Sequence, residues 1–461
     1  MNNTSELLNA QKAYFNGGET LGIAFRKAQL KKLYQAVTDN QQAIFDALHA
    51  DLNKSPFETY ETEIGIVLEE IRYLIAHLSK WAKPKRMSMP LTLFPATGTV
   101  HAEPYGCVLI MSPWNYPFQL ALDPLAGALA AGNCVVLKPS NYSPETSKVI
   151  RKIIRSIYPE KYVAVIEGGR EANADLLEKR FDYIFFTGGT TVGRLVMESA
   201  AKHLTPVSLE LGGKSPCIVD ESADIDLAAR RIVWGKYLNA GQTCVCPDYV
   251  LAHKNIKQTL IERMQYWITR HYGENPLVSP DYPKIITERH YERLNALSDG
   301  KNPANGTLVC GKERDARLCK IAPVILDAPQ ADSPVMSEEI FGPIMPVLEF
   351  TDLGKARDFV IERPRPLALY FFSSSKKNID FIVKRISYGG GCINDTIIHL
   401  ATSKMPFGGV GNSGMGRYHG KYSFDTFSHL KSVLTRGIRP DVSVRYPPYG
   451  EKLGLLKKLL K

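Results

Sequence analysis

The sequence lacks the long hydrophobic run that a membrane-spanning helix needs. In 461 residues no stretch approaches about 18 consecutive uncharged apolar positions. The first residues, Met-Asn-Asn-Thr-Ser-Glu-Leu, contain neither the basic region nor the apolar region of a secretory signal. We therefore expect a cytoplasmic protein that neither crosses a membrane nor follows the standard secretion route.

Cysteine is too sparse to build a disulfide framework. The chain has 8 cysteines, and several lie within apolar runs, as Cys107 does. This distribution is typical of reduced thiols in a reducing compartment. Cys244 and Cys246 form a Cys-x-Cys pair, but no histidine or third cysteine lies nearby at a metal-ligand spacing. The sequence therefore predicts no metal site.

Positive charge is in excess but is not concentrated. The net charge is +10, yet lysine and arginine are scattered, with clusters only at 83–86 and in the last ten residues. A nucleic-acid-binding surface usually shows a basic stripe, so we predict no nucleic acid partner. The hydrophobic content of 44% is that of an ordinary globular protein.

The spacing of apolar residues divides the chain into regions. Within 24–52 and 62–81 apolar positions recur every three or four residues, which predicts long amphipathic helices. From residue 107, and again from about residue 210, short apolar runs alternate with helical segments, which is typical of parallel sheets built from βαβ units. Residues 400–461 follow neither period, apart from a helical final ten. The predicted strands are 107–111, 134–137, 163–166, 183–186, 215–219, 249–251, 344–349, 369–372 and 392–394.

Two glycine-rich segments differ in their context. Residues 409–414 match the Gly-x-Gly-x-x-Gly pattern, but no clear strand precedes them and no acidic residue follows about 20 positions later. We interpret them as a turn in which glycine permits positive φ or close backbone approach. Residues 185–194 instead lie where a predicted strand ends and a helix begins, and free amides at a helix N-terminus attract phosphate. Alone, this segment fits a cofactor loop and a plain helix cap equally well.

Four polar side chains lie in turns beside predicted strands. Cys244 occupies a turn of small residues, where a thiol can be exposed and activated, although a structural cysteine is the commoner case. Glu210 closes an apolar run and could accept a proton from water if burial raised its pKa; an ordinary ion-paired carboxylate is the alternative. Asn115 could donate to an oxyanion or simply form a turn. Lys138 follows a strand, where it suits a ribose or phosphate or is merely solvated.

Taken together, four motifs resemble those of the aldehyde dehydrogenase superfamily. They appear in the family's order at 186–193, 209–214, 241–244 and 339–343, and the segments at 408–420 and 445–448 resemble its class 3 subfamily. The resemblance covers most of the chain, roughly residues 20 to 450. It implies oxidation of aldehydes to carboxylic acids, with NAD or NADP as the cofactor.

The resemblance also implies an architecture. The expected α/β fold has a Rossmann-like parallel-sheet NAD-binding domain, an α/β catalytic domain and a small oligomerisation arm, and the enzyme is expected to be a homodimer. The segment 452–461 has leucines on one side and lysines on the other, a pattern that fits contact with an anionic membrane surface, contact with a partner subunit or a solvated tail equally well. The predicted division is 1–82 and 106–209 for the NAD(P)-binding domain, 210–398 for the catalytic domain, 83–105 and 399–450 for bridging and oligomerisation, and 451–461 for a basic amphipathic tail.

By its motifs, the resemblance assigns a role to each candidate residue. Cys244 is the nucleophile that forms a thiohemiacetal and then a thioester, Glu210 is the base that activates water for deacylation, and Asn115 is an oxyanion donor. The implied cofactor-binding residues are Lys138, Gly188, Gly189, Thr190, Val192, Gly193, Glu339 and Phe341. The predicted substrate channel, suited to medium or long aliphatic or aromatic aldehydes, contains Tyr116, Trp234, Thr243 and Phe407.

Three positions depart from the family's usual pattern. Gly189 replaces a common serine, and Asn141 replaces a common glutamate, which favours acceptance of NADP+ because repulsion of a 2′-phosphate is reduced. Cys246 stands where a small residue without a thiol is common, and we hypothesise that oxidation couples it to Cys244. Two other functions stay open on the sequence: a thiol esterase that needs no cofactor, and a catalytically silent binding or structural protein with the same fold.

Overall fold

The computed structural model describes residues 4–441 and 443–460. Its β-strands are β1 Lys85–Met87, β2 Ala96–Pro104, β3 Cys107–Met111, β4 Cys134–Lys138, β5 Val163–Val165, β6 Tyr183–Thr187, β7 Val207–Glu210, β8 Pro216–Val219, β9 Tyr249–His253, β10 Thr307–Cys310, β11 Arg314–Asp315, β12 Lys320–Ile321, β13 Val324–Asp327, β14 Ile344–Phe350, β15 Ala368–Phe372, β16 Gly390–Ile393, β17 Gly414–Met415 and β18 Ser428–Arg436. Its α-helices are α1 Thr4–Asn16, α2 Ile23–Asp39, α3 Gln41–Leu52, α4 Pro56–Thr59, α5 Gly65–Trp81, α6 Gln119–Ala131, α7 Pro144–Ile157, α8 Arg170–Glu178, α9 Thr190–Ala201, α10 Ile225–Tyr237, α11 Lys257–Tyr272, α12 Glu288–Ser298, α13 Pro334–Ser337, α14 Leu353–Ile361, α15 Lys376–Arg385, α16 Lys421–Thr426 and α17 Lys452–Leu459.

The first large sheet has the strand order β17-β7-β6-β3-β4-β5. Strands β3 to β7 run parallel, and β17 is antiparallel to β7. All residues of β3, β4 and β6 are buried, and helices α1, α6 and α9 pack against these strands. Strands that are buried on both faces consist of continuous apolar runs, which explains why the sequence predicted them well.

The strand order places a crevice at the centre of this sheet. From β3 the chain proceeds to β4 and β5 on one side, and then it returns to β6 and β7 on the other. In open parallel sheets, ligands bind at the carboxyl ends of the strands where the direction of winding reverses. The loops that follow β3 and β6 meet at that point, and they contain Asn115 and Gly188.

The second large sheet has the order β10-β13-β14-β9-β8-β15-β16. Its strands run parallel except β10, which is antiparallel to β13. The central strands β8, β9 and β15 are completely buried. The loop before β9 carries Cys244, whereas Glu210 ends β7 of the first sheet. The candidate nucleophile and the candidate base therefore come from different sheets.

A third sheet joins segments that are far apart in the sequence. β18 pairs antiparallel with β2 along its whole length, from Ser428 opposite Pro104 to Arg436 opposite Ala96, and β1 pairs with the other edge of β2. Most side chains of β18 are exposed. The sequence did not predict β18, because a strand that is exposed on both faces shows no alternation of polar and apolar residues.

The predicted α/β fold class is confirmed, but two details of the predicted helices are wrong. The helix predicted across 24–52 is interrupted at Asn40, whose side chain donates to Ala36 O at 2.8 Å at the end of α2. The helix predicted from residue 62 begins only at Gly65, because Tyr60–Ile64 form a π-helical turn. Turns of this kind are rare in proteins, and those that occur often lie at functional sites.

Candidate active site

The backbone before Cys244 adopts an unusual conformation. Asn239, Ala240 and Gly241 all have positive φ, between 51° and 73°. A Cβ on Gly241 would lie 2.3 Å from the carbonyl oxygen of Gly342, so only glycine fits there. Left-handed residues other than glycine are costly, and they persist where the surrounding structure holds them, often at functional sites.

Hydrogen bonds hold this loop on both sides of the candidate nucleophile. The Gln242 side chain donates to Asn239 O at 3.0 Å and accepts from Ile286 N at 3.0 Å. After the nucleophile, Tyr370 OH donates to Val245 O at 2.5 Å. The loop is therefore anchored by groups from several elements, and the sulfur position is set by the tertiary structure.

The surroundings of Cys244 favour the neutral thiol over the thiolate. Burial raises the pKa of Cys244 well above the usual value, and the nearby carboxyl groups of Glu339 and Glu210 raise it further. The thiolate is the reactive form of cysteine. Activation of Cys244 therefore requires a group that takes its proton or a change in these surroundings.

Glu210 ends β7, and its carboxyl group is enclosed without a hydrogen-bond partner. Neither oxygen is bonded, and the residue is 3% exposed. Burial raises the pKa of Glu210 well above its ordinary range. Gly408 leaves space for this carboxyl group, because a Cβ there would lie 3.2 Å from Glu210 Oε1. A carboxyl group with a raised pKa and free oxygens suits a general base.

Asn115 is bonded to the loop that carries Cys244. Its side-chain amide donates to Gln242 O at 3.0 Å. Its own backbone carbonyl accepts from Asn239 Nδ2 at 2.8 Å and from Lys54 Nζ at 3.1 Å. One amide hydrogen of Asn115 is thus committed to the loop, and the second is the one that could donate to an oxyanion.

A buried ion pair that the sequence analysis missed supports Asn115. Lys54 Nζ lies 2.6 Å from Glu63 Oε1, and both side chains are fully buried. The other oxygen of Glu63 accepts from Phe118 N at 2.8 Å and from Gln119 N at 3.2 Å, at the start of α6. Neither Lys54 nor Glu63 stands out in the sequence, because charged residues in helical regions are normally solvated.

A polar cavity of about 240 Å³ contains much of the predicted site. Buried polar atoms without partners, Thr187 Oγ1 and Glu339 Oε1, belong to its lining. Such atoms, together with the free amides at the start of α9, suit the hydroxyl and phosphate groups of a dinucleotide, so the residues present fit the predicted cofactor. The predicted site residues in this cavity are Asn115, Gly188, Gly189, Glu210, Cys244, Glu339 and Phe341.

The other predicted cofactor-binding residues lie outside the lining of the polar cavity. Lys138 is buried, its Nζ donates to the carbonyl of the following residue at 2.8 Å, and burial lowers its pKa to about 8. Gly193 packs against Leu211, whose side chain would lie 2.6 Å from a Cβ at that position. Thr190 begins α9, and Val192 is exposed on the same helix. Their roles toward a cofactor stay predictions.

Several lining residues of the polar cavity were not predicted from the sequence, among them Trp114, His290 and Arg293. The Trp114 ring packs edge-on against Phe341 and His290, with ring centres 5.3 Å and 5.1 Å apart. Arg293, also in the lining, donates to Ile340 O at 2.5 Å. His290 and Arg293 lie on α12, a surface helix without a motif, so only the tertiary structure brings them to the cavity.

A second, apolar cavity of about 140 Å³ also reaches Cys244. All of the predicted channel residues lie in its wall: Tyr116, Trp234, Thr243 and Phe407. The sequence did not predict most other wall residues, among them Ile66, Leu238, Ile397 and Leu400. These side chains come from separate parts of the chain, and each resembles an ordinary core residue in the sequence.

The thiol of Cys246 contacts a lysine. Its Sγ lies 3.4 Å from Lys236 Nζ, and both residues are buried. Burial raises the pKa of Cys246 to about 11. A protonated, enclosed thiol reacts poorly with oxidants. The disulfide between Cys246 and Cys244 stays a hypothesis.

The glycine segment 409–414 forms a turn beside the first large sheet. Gly411 and Gly414 have positive φ. A Cβ on Gly414 would lie 2.1 Å from Leu209 O, and the same glycine pairs with Glu210 where β17 meets β7. The interpretation of this segment as a turn with close backbone approach is confirmed.

Comparisons with known proteins agree with this geometry. The sequence profile of the aldehyde dehydrogenase family matches residues 3–433. A 4,4'-diaponeurosporen-aldehyde dehydrogenase from Staphylococcus aureus is 47% identical over 450 residues, which is 98% of this chain and 97% of the relative. An aldehyde dehydrogenase from Mus musculus that is named dimeric and NADP-preferring is 43% identical over 455 residues, which is 98% of this chain and 99% of the relative. A solved structure of the substrate-bound state of Staphylococcus aureus AldH is 46% identical, covers 100% of both chains and superposes with a TM-score of 0.97.

Proposed function

The chain belongs to the aldehyde dehydrogenase family and oxidises aldehydes with NAD or NADP, and we propose that it does so through a thioester on Cys244. The observation that carries this proposal is the position of Cys244, which lines both the polar cavity and the apolar cavity. An aldehyde whose carbonyl carbon lies at this sulfur can place its hydrocarbon chain in the apolar cavity, while the carbonyl carbon faces the polar cavity. A thiol esterase that needs no cofactor is not favoured, because the family and the relatives described above are aldehyde dehydrogenases.

Formation of the thiohemiacetal is the first covalent step in the proposal. The thiolate of Cys244 attacks the aldehyde carbon, a C–S bond forms, and the carbonyl oxygen takes up the negative charge. Asn115 and the backbone N–H of Cys244 donate to this oxyanion. Because one amide hydrogen of Asn115 already bonds Gln242 O, the amide is oriented before the substrate arrives.

The polar cavity holds the cofactor in the proposal. When bound, the nicotinamide of NAD or NADP accepts the hydride that leaves the aldehyde carbon. We assign Glu339 to the nicotinamide ribose, Phe341 to packing beside the nicotinamide, and Lys138 to the adenosine ribose. Asn141, which carries no charge, supports the use of NADP as well as NAD. The pyrophosphate would lie at the start of α9, where the proposed residues are Gly188, Gly189, Thr190, Val192 and Gly193.

Glu210 completes the reaction in the proposal by activating water. Water attacks the acyl carbon of the thioester while one of its protons passes to Glu210. The C–S bond then breaks, which regenerates the Cys244 thiolate and releases the carboxylic acid. The two unpartnered oxygens of Glu210 support this role. A thiol cosubstrate would need no activated water, so the carboxyl group favours hydrolysis over acyl transfer.

The apolar cavity supports medium or long aliphatic and aromatic aldehydes as substrates. Its wall includes Trp234, Phe407 and Leu400. Each methylene group that a substrate buries there contributes about 0.8 kcal/mol to binding. The Staphylococcus aureus relative is named for 4,4'-diaponeurosporen-aldehyde, and we propose this aldehyde as one candidate substrate.

A homodimer through the third sheet is part of the proposal. β18 is an edge strand of that sheet, so its outer backbone groups can pair with another chain. It leaves Leu430 and Leu434 more than half exposed. The mouse relative is named dimeric, which supports the same assembly here. The division into domains and bridging segments given above also remains a proposal.

The C-terminal tail supports a weak contact of this cytoplasmic enzyme with a membrane surface. Within residues 4–441 and 443–460, every helix is too short or too polar to cross a membrane. Helix α17 instead leaves Leu453, Leu455 and Leu456 exposed and carries two lysines in its last turn. A short basic amphipathic helix binds anionic surfaces reversibly. Residue 461, the last of the predicted tail, lies outside the described residues.

One experiment tests the covalent mechanism. The Glu210→Gln variant is mixed with octanal and NAD+ or NADP+, while absorbance of the reduced cofactor and intact protein mass are recorded. We expect one equivalent of reduced cofactor per active site, an octanoyl adduct on Cys244 and slow turnover afterwards. Full steady-state turnover without an adduct would contradict the proposal, and Cys244→Ser serves as the control that forms neither.

A further inference from the structure

A buried carboxyl group outside the sequence motifs is bonded to the loop that carries Cys244. Glu58 lies on α4 and is 6% exposed. Its Oε1 accepts a hydrogen bond from the backbone N–H of Asn239 at 2.8 Å, which joins residues 181 positions apart in the chain. Glu58 lies outside the lining of both cavities, so it can affect the reaction only through other residues.

The chain needs an acceptor at this point because it leaves helix α10 there. The N–H of Leu238 still donates to Trp234 O in the helical pattern. The next residue, Asn239, has φ of 51°, a left-handed conformation that is uncommon for residues with a Cβ. A buried N–H without a partner would destabilise this conformation, and Glu58 supplies the partner.

The π-helical turn Tyr60–Ile64 helps to explain how Glu58 comes to face the interior together with Glu63. Residues five apart in a regular α-helix point about 140° away from each other. The hydrogen bonds of a π-helical turn span five residues, so such positions come closer to one face. Both side chains are buried. Glu63 pairs with Lys54, whereas Glu58 bonds Asn239.

Asn239 passes this support on to the proposed oxyanion donor. Its Nδ2 donates to Asn115 O at 2.8 Å and to Gln242 O at 3.1 Å. The side-chain amide of Asn115 donates to the same Gln242 O at 3.0 Å. The three residues thus form one closed set of hydrogen bonds. The direction of the second amide hydrogen of Asn115 therefore depends on the position of Asn239.

The bond from Asn239 does not require a charged acceptor. Burial raises the pKa of Glu58 to about 7, against the opposing effects of the nearby Lys54 ammonium and of the Asn239 N–H. Both forms of the carboxyl group are therefore present near neutral pH, and each form has an oxygen that accepts from an N–H. A glutamine at this position would keep such an oxygen, whereas a methionine would not.

We propose that Glu58 is a positioning residue for acylation, which holds Asn239 and thereby orients the Asn115 amide toward the oxyanion. This inference rests on the proposed thioester mechanism, in which Asn115 stabilises the thiohemiacetal oxyanion. A displacement of about 1 Å in a group that has to be aligned can slow a reaction about a hundredfold. We therefore expect loss of the Glu58 acceptor to slow acylation at least about tenfold.

The test measures acylation separately from the later hydrolysis. In the Glu210→Gln background the proposed thioester accumulates, so the rate of the first equivalent of reduced cofactor reports its formation. Stopped-flow absorbance follows this burst with saturating octanal and NAD+ or NADP+. We expect Glu58→Met to slow the burst at least about tenfold and Glu58→Gln to restore most of the rate. The burst amplitude and the dissociation constant of the cofactor should stay unchanged.

A matched carboxyl group controls for the loss of a buried hydrogen bond. Asp51 is also 6% exposed and also accepts from a backbone N–H at 2.8 Å, that of Thr146 in the first turn of α7. In the same background, Asp51→Leu should lower the thermal unfolding temperature, as Glu58→Met does, but should leave the burst rate unchanged. An equal slowing by both substitutions would show that the effect is a general loss of stability and would overturn the inference.

A double-mutant cycle tests whether Glu58 acts through Asn115. If it does, Glu58→Met slows the burst little further in an enzyme that already carries Asn115→Ala, because the donor to be oriented is gone. A full additional loss there overturns the inference. So does an unchanged burst in a folded Glu58→Met enzyme, or a Glu58→Gln rate no better than that of Glu58→Met.

The parent Glu210→Gln enzyme separates this inference from the mechanism on which it rests. If that enzyme gives no burst, the proposed thioester mechanism is contradicted and the positioning role falls with it. If it gives a normal burst but one of the contrary results above appears, the positioning role alone is overturned. Slowing by Glu58→Met that glutamine rescues and that Asn115→Ala abolishes supports the assignment.

Discussion

The polar cavity and the apolar cavity meet at Cys244, yet they are built in different ways. The polar cavity is lined by loops that follow β3, β6 and β7 and by Glu339 and Phe341 before β14, and buried polar atoms such as Glu339 Oε1 have no hydrogen-bond partner. The apolar cavity is formed by side chains from separate elements, and most of its polar groups, such as Tyr116 OH, are already bonded.

The two cavities differ in construction because they have different tasks. Binding of a charged cofactor and proton transfer need particular groups at particular positions, so the polar cavity depends on a few short backbone segments. An apolar wall needs volume and a lack of competing water, which many combinations of side chains provide. Substitutions in the polar cavity should therefore stop the reaction, whereas substitutions in the apolar wall should change which aldehyde is accepted.

Removal of the Cys244 sulfur should reduce aldehyde turnover more than any other substitution, because Cys244 lines both cavities. We expect Cys244→Ser to reduce aldehyde turnover by at least about a thousandfold, since a serine hydroxyl is a far weaker nucleophile without a dedicated base. Reduced cofactor is measured by absorbance. Cofactor binding, followed by quenching of protein fluorescence, should persist. Turnover within tenfold of the wild type would refute the assignment of the nucleophile.

Lys54 should matter for stability as well as for the polar cavity. Lys54→Met leaves the buried Glu63 without its ion-pair partner, and we expect the free energy of unfolding to fall by about 3–5 kcal/mol. Denaturant unfolding measures this change. Lys148→Met is the matched control, because Lys148 forms a lysine–glutamate pair of the same 2.6 Å length that is exposed to solvent. Equal effects of the two substitutions would show that burial is not the cause.

The polar cavity should also make stability depend on pH. Burial raises the pKa of Glu339 from 4.5 to about 8, so the folded protein holds a proton that the unfolded chain releases at lower pH. The stability that this proton contributes is fully present below pH 4.5 and is lost as the pH rises toward 8. We expect the free energy of unfolding to decrease over this range, and the decrease to be smaller in Glu339→Gln. A curve of the same slope in both proteins would argue against a protonated Glu339.

Substitution in the apolar wall should have the smallest effect and the most selective one. Leu400→Trp fills part of the cavity, so we expect kcat/KM for octanal to fall several-fold more than that for propanal. Steady-state kinetics with the two aldehydes measure the ratio. Leu318→Trp, at an exposed position outside both cavity walls, is the control that should leave the ratio unchanged. Equal losses for both aldehydes would place the substrate chain elsewhere.

Much of the fold could be predicted from the sequence, for a physical reason. Buried parallel strands such as β3 and β6 require continuous apolar runs, and those runs are visible without any structure. The exposed strand β18 has no such requirement and was missed. The π-helical turn Tyr60–Ile64 was also missed, since its residues have ordinary helical spacing. It becomes recognisable only from the backbone.

The residues of the candidate site also fall into those that the sequence predicted and those that it missed. Residues such as Cys244 and Glu210 could be predicted because they lie in short sequence motifs. Each motif is needed to give the loop around the residue one particular backbone conformation. His290 reaches the polar cavity from α12, and Lys54 and Glu63 meet inside the protein. Histidine, lysine and glutamate are common at solvent-exposed positions, so nothing in the sequence marks these three residues. Their positions depend on how distant elements pack, and periodicity carries no information about that.

The sequence alone determined the family, most strands of the two large sheets and the residues proposed for the chemistry, because motifs and apolar runs are local. Only the tertiary structure showed that Cys244 lines two cavities and that Lys54 is paired with Glu63 beneath Asn115. Burial and hydrogen bonding depend on what surrounds an atom in space. Residues that are distant in the chain provide those surroundings, so these properties appear only after folding.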